Sequence, residues 1–160
     1  MKNFNNIKAL VMDVDGTLTD GSLYLNKDGE IMKRFNVHDG YAVKELLQMM
    51  KILPIILTGR ASDIVLKRSR ELNISLVIQG SKNKLSDLMD ILSKNDIKLE
   101  EVAYIGDDLN DLECMKAVGM VGCPNNAVKE IKAVSDYITT SLGGEGAVRE
   151  FIDWIKENRK

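Results

Sequence analysis

This chain holds little of what usually announces a function. Histidine occurs once in 160 residues, cysteine and proline twice each, and aromatic residues make up 5%. Cys114 and Cys123 match no zinc-ligand spacing and read as two small buried residues in a reducing compartment rather than as a disulfide. The lone His38 is of a kind more often structural than catalytic. No apolar run is long enough for a transmembrane helix. Met1–Lys8 is polar, without the apolar centre of a secretory signal, so the cytoplasm is the expected location and no membrane partner is expected. A net charge of -2, with no basic tract, gives no electrostatic footprint for nucleic acid. Repeats, low-complexity stretches and linkers are also lacking. One domain over residues 1–160, around one well-buried core, is expected.

What is present is acidic and repeats one design. Asp13-Val14-Asp15-Gly16-Thr17 follows the apolar run Ala9-Leu10-Val11-Met12. Gly106-Asp107-Asp108-Leu109-Asn110-Asp111 follows Val102-Ala103-Tyr104-Ile105. Both place carboxylates at the end of a buried strand, where open α/β sheets bind their ligands. Carboxylates crowded at one sheet edge repel each other, and a hard cation with oxygen ligands, Mg²⁺, relieves that.

The rest of the chain alternates strand and helix patterns. Strands are predicted at Ala9–Asp13, Pro54–Thr58, Leu76–Gln79, Val102–Gly106 and Met120–Cys123. Helices are predicted near Gly40–Met50, Ser62–Leu72, Lys82–Asn95, Asn110–Val118, Ala127–Val134 and Gly146–Glu157. That order gives an α/β fold with a doubly wound, mostly parallel, Rossmann-like sheet. One piece departs from it: Ser22–Asn26 and Ile31–Phe35 flank Lys27-Asp28-Gly29-Glu30, a hairpin signal. A lone two-stranded ribbon is barely stable in water. This one is apolar on both faces, so residues 22–35 are expected either to contact another subunit or to pack on the chain's own core.

The spacing permits specific chemistry. Asp13 and Asp15 lie two apart and face the same way. Asp13 can serve as carboxylate nucleophile and metal ligand. Asp15 can serve as general acid towards the leaving group and then as base towards water. Thr58-Gly59-Arg60, at a strand-to-helix junction, suits a phosphate, although a capping turn would read the same way. Lys84 opens a helical run where the macrodipole disfavours cations; a charge aimed at phosphate and paired with Asp13 accounts for it, and a plain surface lysine is the bland alternative. Asp107 is assigned to the metal. Asp108 and Asp111 are assigned to holding water, Lys84 or the loop.

In this order, Asp-x-Asp-Gly-Thr, Thr-Gly-Arg, Lys84 and Gly-Asp-Asp-x-x-Asp resemble the haloacid dehalogenase superfamily of phosphohydrolases. The resemblance implies Mg²⁺ held by Asp13, Asp107 and the backbone carbonyl of Asp15, a phosphoaspartyl intermediate on Asp13, and a phosphoryl group bound by Thr58 and Lys84. The gaps between motifs, Asp15 to Thr58 and Thr58 to Lys84, are too short for a cap domain, so the site is expected to be uncapped, with the hairpin as a flap.

Four longer stretches are similar to one branch of that family, which removes phosphate from eight-carbon 2-keto-3-deoxy sugar acids on the route to lipopolysaccharide. They are Asp13-Val14-Asp15-Gly16-Thr17-Leu18-Thr19-Asp20-Gly21, the run Phe35 to Tyr41, the run Gln79 to Leu85, and Gly143-Gly144-Glu145-Gly146 through Glu150. The similarity implies a homotetramer built through hairpin 22–35, with the tail 143–149 covering a neighbour's site. It also implies that Asn36, Val37, His38, Asp39, Gly40, Lys44, Arg60 and Arg68 line the sugar pocket beside Asp15 and Lys84. A nine-carbon relative has glutamate where Arg60 stands, so Arg60 favours the eight-carbon acid. A non-catalytic assembly module, like the domain attached to some nucleotide-sugar synthetases, is the alternative from another class.

Overall fold

Ala9–Met12 is buried on both faces. Leu10 and Met12 enter one half of the core and Ala9 and Val11 the other. Strand side chains alternate, so an unbroken apolar run marks a strand covered on both sides. The computed structural model describes residues 3–160; the first two residues of the segment Met1–Lys8, predicted not to be a secretory signal, lie outside them.

Along the chain the strands are β1 (Ala9–Met12), β2 (Tyr24–Asn26), β3 (Gly29–Met32), β4 (Leu53–Leu57), β5 (Leu76–Ile78), β6 (Val102–Ile105), β7 (Met120–Cys123) and β8 (Tyr137–Ile138). The helices are α1 (Val37–Tyr41), α2 (Leu47–Met50), α3 (Asp63–Glu71), α4 (Lys84–Lys94), α5 (Leu112–Ala117), α6 (Lys129–Val134) and α7 (Ala147–Asn158). α1 and α2 are joined through the wider turn Ala42–Leu46, whose residues keep right-handed helical geometry at both junctions.

Six strands form one sheet in the order β5-β4-β1-β6-β7-β8, every pair parallel. With the hairpin set aside this is the 3-2-1-4-5-6 order of a Rossmann sheet. The direction of winding reverses between β1 and β6. Side chains of the 37–50 segment, α3 and α7 fill one face, among them Leu46, Leu47, Val65, Phe151 and Ile155. Leu88, Leu92, Met115 and Ile131, from α4, α5 and α6, fill the other. Cys114 and Cys123 are free thiols buried in that second half. No described helix is long and apolar enough to cross a membrane.

The structure moves some predicted boundaries. The first helix begins at Val37 rather than Gly40 because Asn36 caps it: its Oδ1 accepts from the backbone N–H groups of His38 (2.8 Å) and Asp39 (3.4 Å). The hairpin turns at Lys27-Asp28, one residue before the predicted Asp-Gly centre. Asn26 pairs with Gly29, and the Asn26 side chain accepts from the Asp28 N–H at 2.9 Å. Gly29, at φ +127°, closes the turn. β8 has only two residues, Tyr137 and Ile138, paired to Gly122 and Cys123; a strand that short leaves no periodic signal.

Candidate active site

The crevice at the switch point collects the acidic residues. Asp13 is the first residue beyond β1 and Asp107 the second beyond β6. Between them the backbone turns sharply at Gly16, with φ +92°. A Cβ on Gly16 would lie 2.1 Å from Asp107 Oδ2, so only glycine lets the two loops close on each other. Thr17 Oγ1 donates to Asp107 Oδ1 at 3.0 Å and holds that carboxylate across the gap.

Lys84, the first residue of α4, crosses beneath the site. Its Nζ donates to Asp13 Oδ1 and to Asp111 Oδ1, both at 2.7 Å, and its side chain is 4% exposed. This pairing explains a cation at the unfavourable end of a helix. Burial pulls the Lys84 ammonium down, but the charges of Asp13 and Asp111 outweigh it and the net shift is upward. Asp111 also accepts from Tyr104 Oη at 2.6 Å and from the Asp107 N–H at 3.2 Å. Gly106 makes room for it: a Cβ there would sit 2.4 Å from Asp111 Oδ2.

One lysine does not neutralise this cluster. Burial, and next the charge of Asp111, push Asp13 up to about 7. Burial and the same charge push Asp107 up to about 6. Oxygens of Asp13, Asp107 and Asp111 lie within 4.8 Å of one another. Asp111 is already engaged by Lys84, Tyr104 and the Asp107 N–H, which leaves Asp13 and Asp107 to face a cation. An all-oxygen donor set with surplus negative charge of this kind fits Mg²⁺.

Above these carboxylates opens a cavity of about 190 Å³ lined by Asp13, Asp15, Thr58, Gly59, Arg60, Asp107, Asp108 and Asn110. Thr58 is held at the end of β4: its N–H donates to the Ile78 carbonyl (2.9 Å) and its carbonyl accepts from the Ser81 N–H (3.1 Å). Asp108 caps its own turn, with Oδ1 accepting from the Leu109 N–H at 2.7 Å. Arg60 Nε lies 3.9 Å from Asp15 Oδ2. Asp15 is also bonded to Lys33, which comes from the end of the hairpin.

The structure does not bring the remaining predicted sugar-pocket residues to this cavity. Asn36 is spent on the cap of α1, and Val37 is exposed. Asp39 is buried and accepts from the Arg149 N–H at 2.7 Å, at the start of α7. Gly40 packs against Arg68, where a Cβ would lie 2.3 Å from Nη2. Arg68 turns to Glu71 (3.1 Å) and to the Phe35 ring, 5.8 Å from its centroid. Lys44 donates to the Glu71 carbonyl at 3.1 Å and lines a groove with Lys51 and Leu53, at the start of β4 and away from its catalytic end. His38 faces a separate groove beside Arg149 and Trp154. Only Arg60 of that set, with Asp15, faces the cavity. The tail also meets residues of its own chain. Gly143 and Gly144 lie against the chain's own residues Gly16, Thr19 and Asp20, and the Gly144 N–H donates to the Thr17 carbonyl at 3.1 Å. Glu145 pairs with Arg34 at 3.3 Å. Within the chain, Gly143 and Gly144 thus pack on the loop that follows Asp13.

Sequence reasoning missed Lys33, Glu30, Thr17, Asn110 and Tyr104. Tyr104 carried a signal, because a phenol inside an aliphatic strand needs a partner. Lys33 carried none: a lysine on a short edge ribbon looks like a solvated residue.

Comparison with known proteins agrees with this geometry. Residues 26–152 match the family model of the haloacid dehalogenase-like hydrolases. The 3-deoxy-D-manno-octulosonate 8-phosphate phosphatase of Escherichia coli strain K12 is 43% identical over 150 residues, 94% of this chain and 79% of the relative. The crystal structure of the enzyme of that name from Moraxella catarrhalis, in complex with magnesium ion, phosphate ion and KDO, superposes with a TM-score of 0.93. It is 42% identical and covers 98% of this chain and 89% of its own. The cobalt-bound deoxy-D-mannose-octulosonate 8-phosphate phosphatase of Haemophilus influenzae gives a TM-score of 0.92 at 36% identity, over 96% of this chain and 90% of its own. With acidic loops meeting at the switch point of a Rossmann sheet and these likenesses along nearly its whole length, the chain belongs to the haloacid dehalogenase-like hydrolases.

Proposed function

We propose that the protein is a Mg²⁺-dependent phosphatase that hydrolyses 3-deoxy-D-manno-octulosonate 8-phosphate to the free sugar acid and inorganic phosphate. The observation that carries this reading is Lys84 Nζ, 2.7 Å from both Asp13 and Asp111, beneath a cavity that Asp15, Thr58 and Arg60 also line. The 43% identity to a phosphatase of that name supports the choice of sugar. A non-catalytic assembly module would have no use for a buried lysine strung between two carboxylates.

The chain's residues would divide the work as follows. Asp13, Asp107 and the Asp15 carbonyl hold the cation, which when bound neutralises charge on the phosphoryl oxygens. Lys84 and Thr58 hold the phosphoryl group from the protein side. The free Asp13 carboxylate oxygen attacks phosphorus in line, and the bond from phosphorus to the C8 oxygen breaks. Asp15 gives its proton to that departing oxygen. A water then enters from the vacated side, Asp15 takes its proton, and attack on phosphorus frees Asp13 and inorganic phosphate. Asp111 and Tyr104 keep Lys84 aimed at Asp13. Arg60, at the rim, meets the negative charge of the sugar acid.

In this reading the chain acts as one domain in the cytoplasm. Leu23, Leu25, Ile31 and Met32 on the hairpin are 49%, 55%, 55% and 50% exposed, an apolar surface that favours a homotetramer assembled through residues 22–35. The test is a phosphate-release screen of eight- and nine-carbon 2-keto-3-deoxy sugar-acid phosphates, with Mg²⁺ or with chelator. Release from the eight-carbon ester that stops with chelator supports the proposal. Preference for the nine-carbon ester, or release from neither, overturns it.

A further inference from the structure

The hairpin does more than offer an outer apolar face. Its inner edge reaches the catalytic crevice through a chain of polar contacts. Lys33, just past β3, has a side chain only 1% exposed although most of the ribbon around it faces solvent. Its Nζ is bonded to Asp15 Oδ1 and lies 2.8 Å from Glu30 Oε1. Glu30 Oε2 accepts from Ser62 Oγ, and the Ser62 N–H donates to Gln79 Oε1 at 2.9 Å. Ser62 is the residue that leads into α3, and Gln79 follows β5. The line from Gln79 through Ser62, Glu30 and Lys33 to Asp15 thus fastens a marginal ribbon to the main sheet and ends on one carboxylate.

Burying a lysine side chain is costly unless it is paired. A structural lysine could snorkel to water from a ribbon this exposed. Lys33 instead turns inward to two carboxylates from different parts of the chain. The pairing would hold the Asp15 carboxylate in one rotamer, pointed into the cavity, where a misplacement of about 1 Å can cost a hundred-fold in rate.

We propose that Lys33, set by Glu30, is the positioning residue of Asp15, so that the hairpin is part of the catalytic apparatus. This rests on the phosphatase reading above and names a residue which that reading leaves unused. Lys33 does not touch the reacting atoms; it acts through Asp15.

The experiment compares Lys33→Met, Lys33→Arg, Glu30→Gln, Asp15→Asn and the doubles Lys33→Met/Asp15→Asn and Glu30→Gln/Asp15→Asn. Turnover is followed on octulosonate 8-phosphate and on p-nitrophenyl phosphate, with single-turnover phosphate release for the slow variants. Lys33→Met is expected to lower kcat about 10-fold or more with KM within about two-fold. Lys33→Arg should recover most of that loss. In the Asp15→Asn background the Lys33 change should have no further effect, because its route to the chemistry is already gone. Glu30→Gln is nearly isosteric and should give a smaller fall with the same dependence on Asp15; it decides the question if Lys33→Met fails to fold. A kcat within about two-fold of wild type, or an equal proportional loss with and without Asp15, overturns the proposal. Wild-type turnover of the chromogenic ester but not of the sugar ester would sink the substrate reading alone and leave the Lys33 comparison readable. No turnover of either ester would overturn both.

Discussion

Asp13 and Asp107 lie 94 positions apart in the chain and yet share one crevice, and the residue that makes this possible is Gly16. Its φ of +92° and the 2.1 Å a Cβ would leave to Asp107 Oδ2 mean that Gly16→Ala must push that carboxylate aside. Calorimetric titration should show Mg²⁺ affinity falling about 10- to 100-fold. Unchanged affinity would mean that Asp107 does not face the ion. The paired acidic loops were legible at this scale because each follows an apolar run, and because strand ends are where such sheets bind. Within the chain Asn36 caps α1, Asp39 accepts from the Arg149 N–H, Lys44 donates to the Glu71 carbonyl and Arg68 turns to Glu71, so none of the four lines the cavity. Sequence distance does not reveal such contacts. They become visible only when the 37–50 segment is laid against α3 and α7.

Elements were read well where a long periodic pattern exists and poorly where a few side-chain bonds decide. β1, β4, β6 and β7 announce themselves by continuous apolar runs. β8 exists because its backbone pairs with β7, and because Glu150 of α7 holds the chain beyond it. The Glu150 carboxylate accepts from the Thr140 N–H (2.7 Å), Thr140 Oγ1, the Ser141 N–H and Tyr137 Oη (3.0 Å each). Burial alone would raise its pKa, but these bonds outweigh it and bring it down from 4.5 to about 2. A carboxylate depressed in the folded state stabilises above its unfolded pKa, and that contribution is lost as pH falls through the folded value. The stability gap between wild type and Glu150→Gln, followed by urea unfolding, should therefore be full above about pH 5 and shrink towards pH 2. A gap that stays constant over that window would contradict the assignment. The hairpin shows the other side of the same lesson. Its turn chemistry gave its existence, its apolar residues gave its exposed face, and nothing local gave the Lys33 link to Asp15.

For the whole molecule, the Rossmann order gathers Asp13, Thr58, Lys84 and Asp107 at one end of the sheet and leaves the ribbon's outer face exposed. Ile31→Asp puts a charge where the proposed tetramer buries an apolar residue. Sedimentation velocity should find a tetramer for wild type and smaller species for the variant, with the near-ultraviolet circular dichroism of both alike. A monomeric wild type would remove the assembly proposal and leave the fold untouched. The central claim is narrower: acidic loops from β1 and β6 bind one divalent ion, and Asp13 takes the phosphoryl group. Rapid acid quench of the wild-type protein turning over octulosonate 8-phosphate with Mg²⁺, followed by peptide mass spectrometry, tests it most directly. The account predicts a phosphoryl adduct on Asp13 that is absent with chelator and absent in Asp13→Asn. Phosphate released with no adduct on Asp13, or released undiminished by Asp13→Asn, would contradict it.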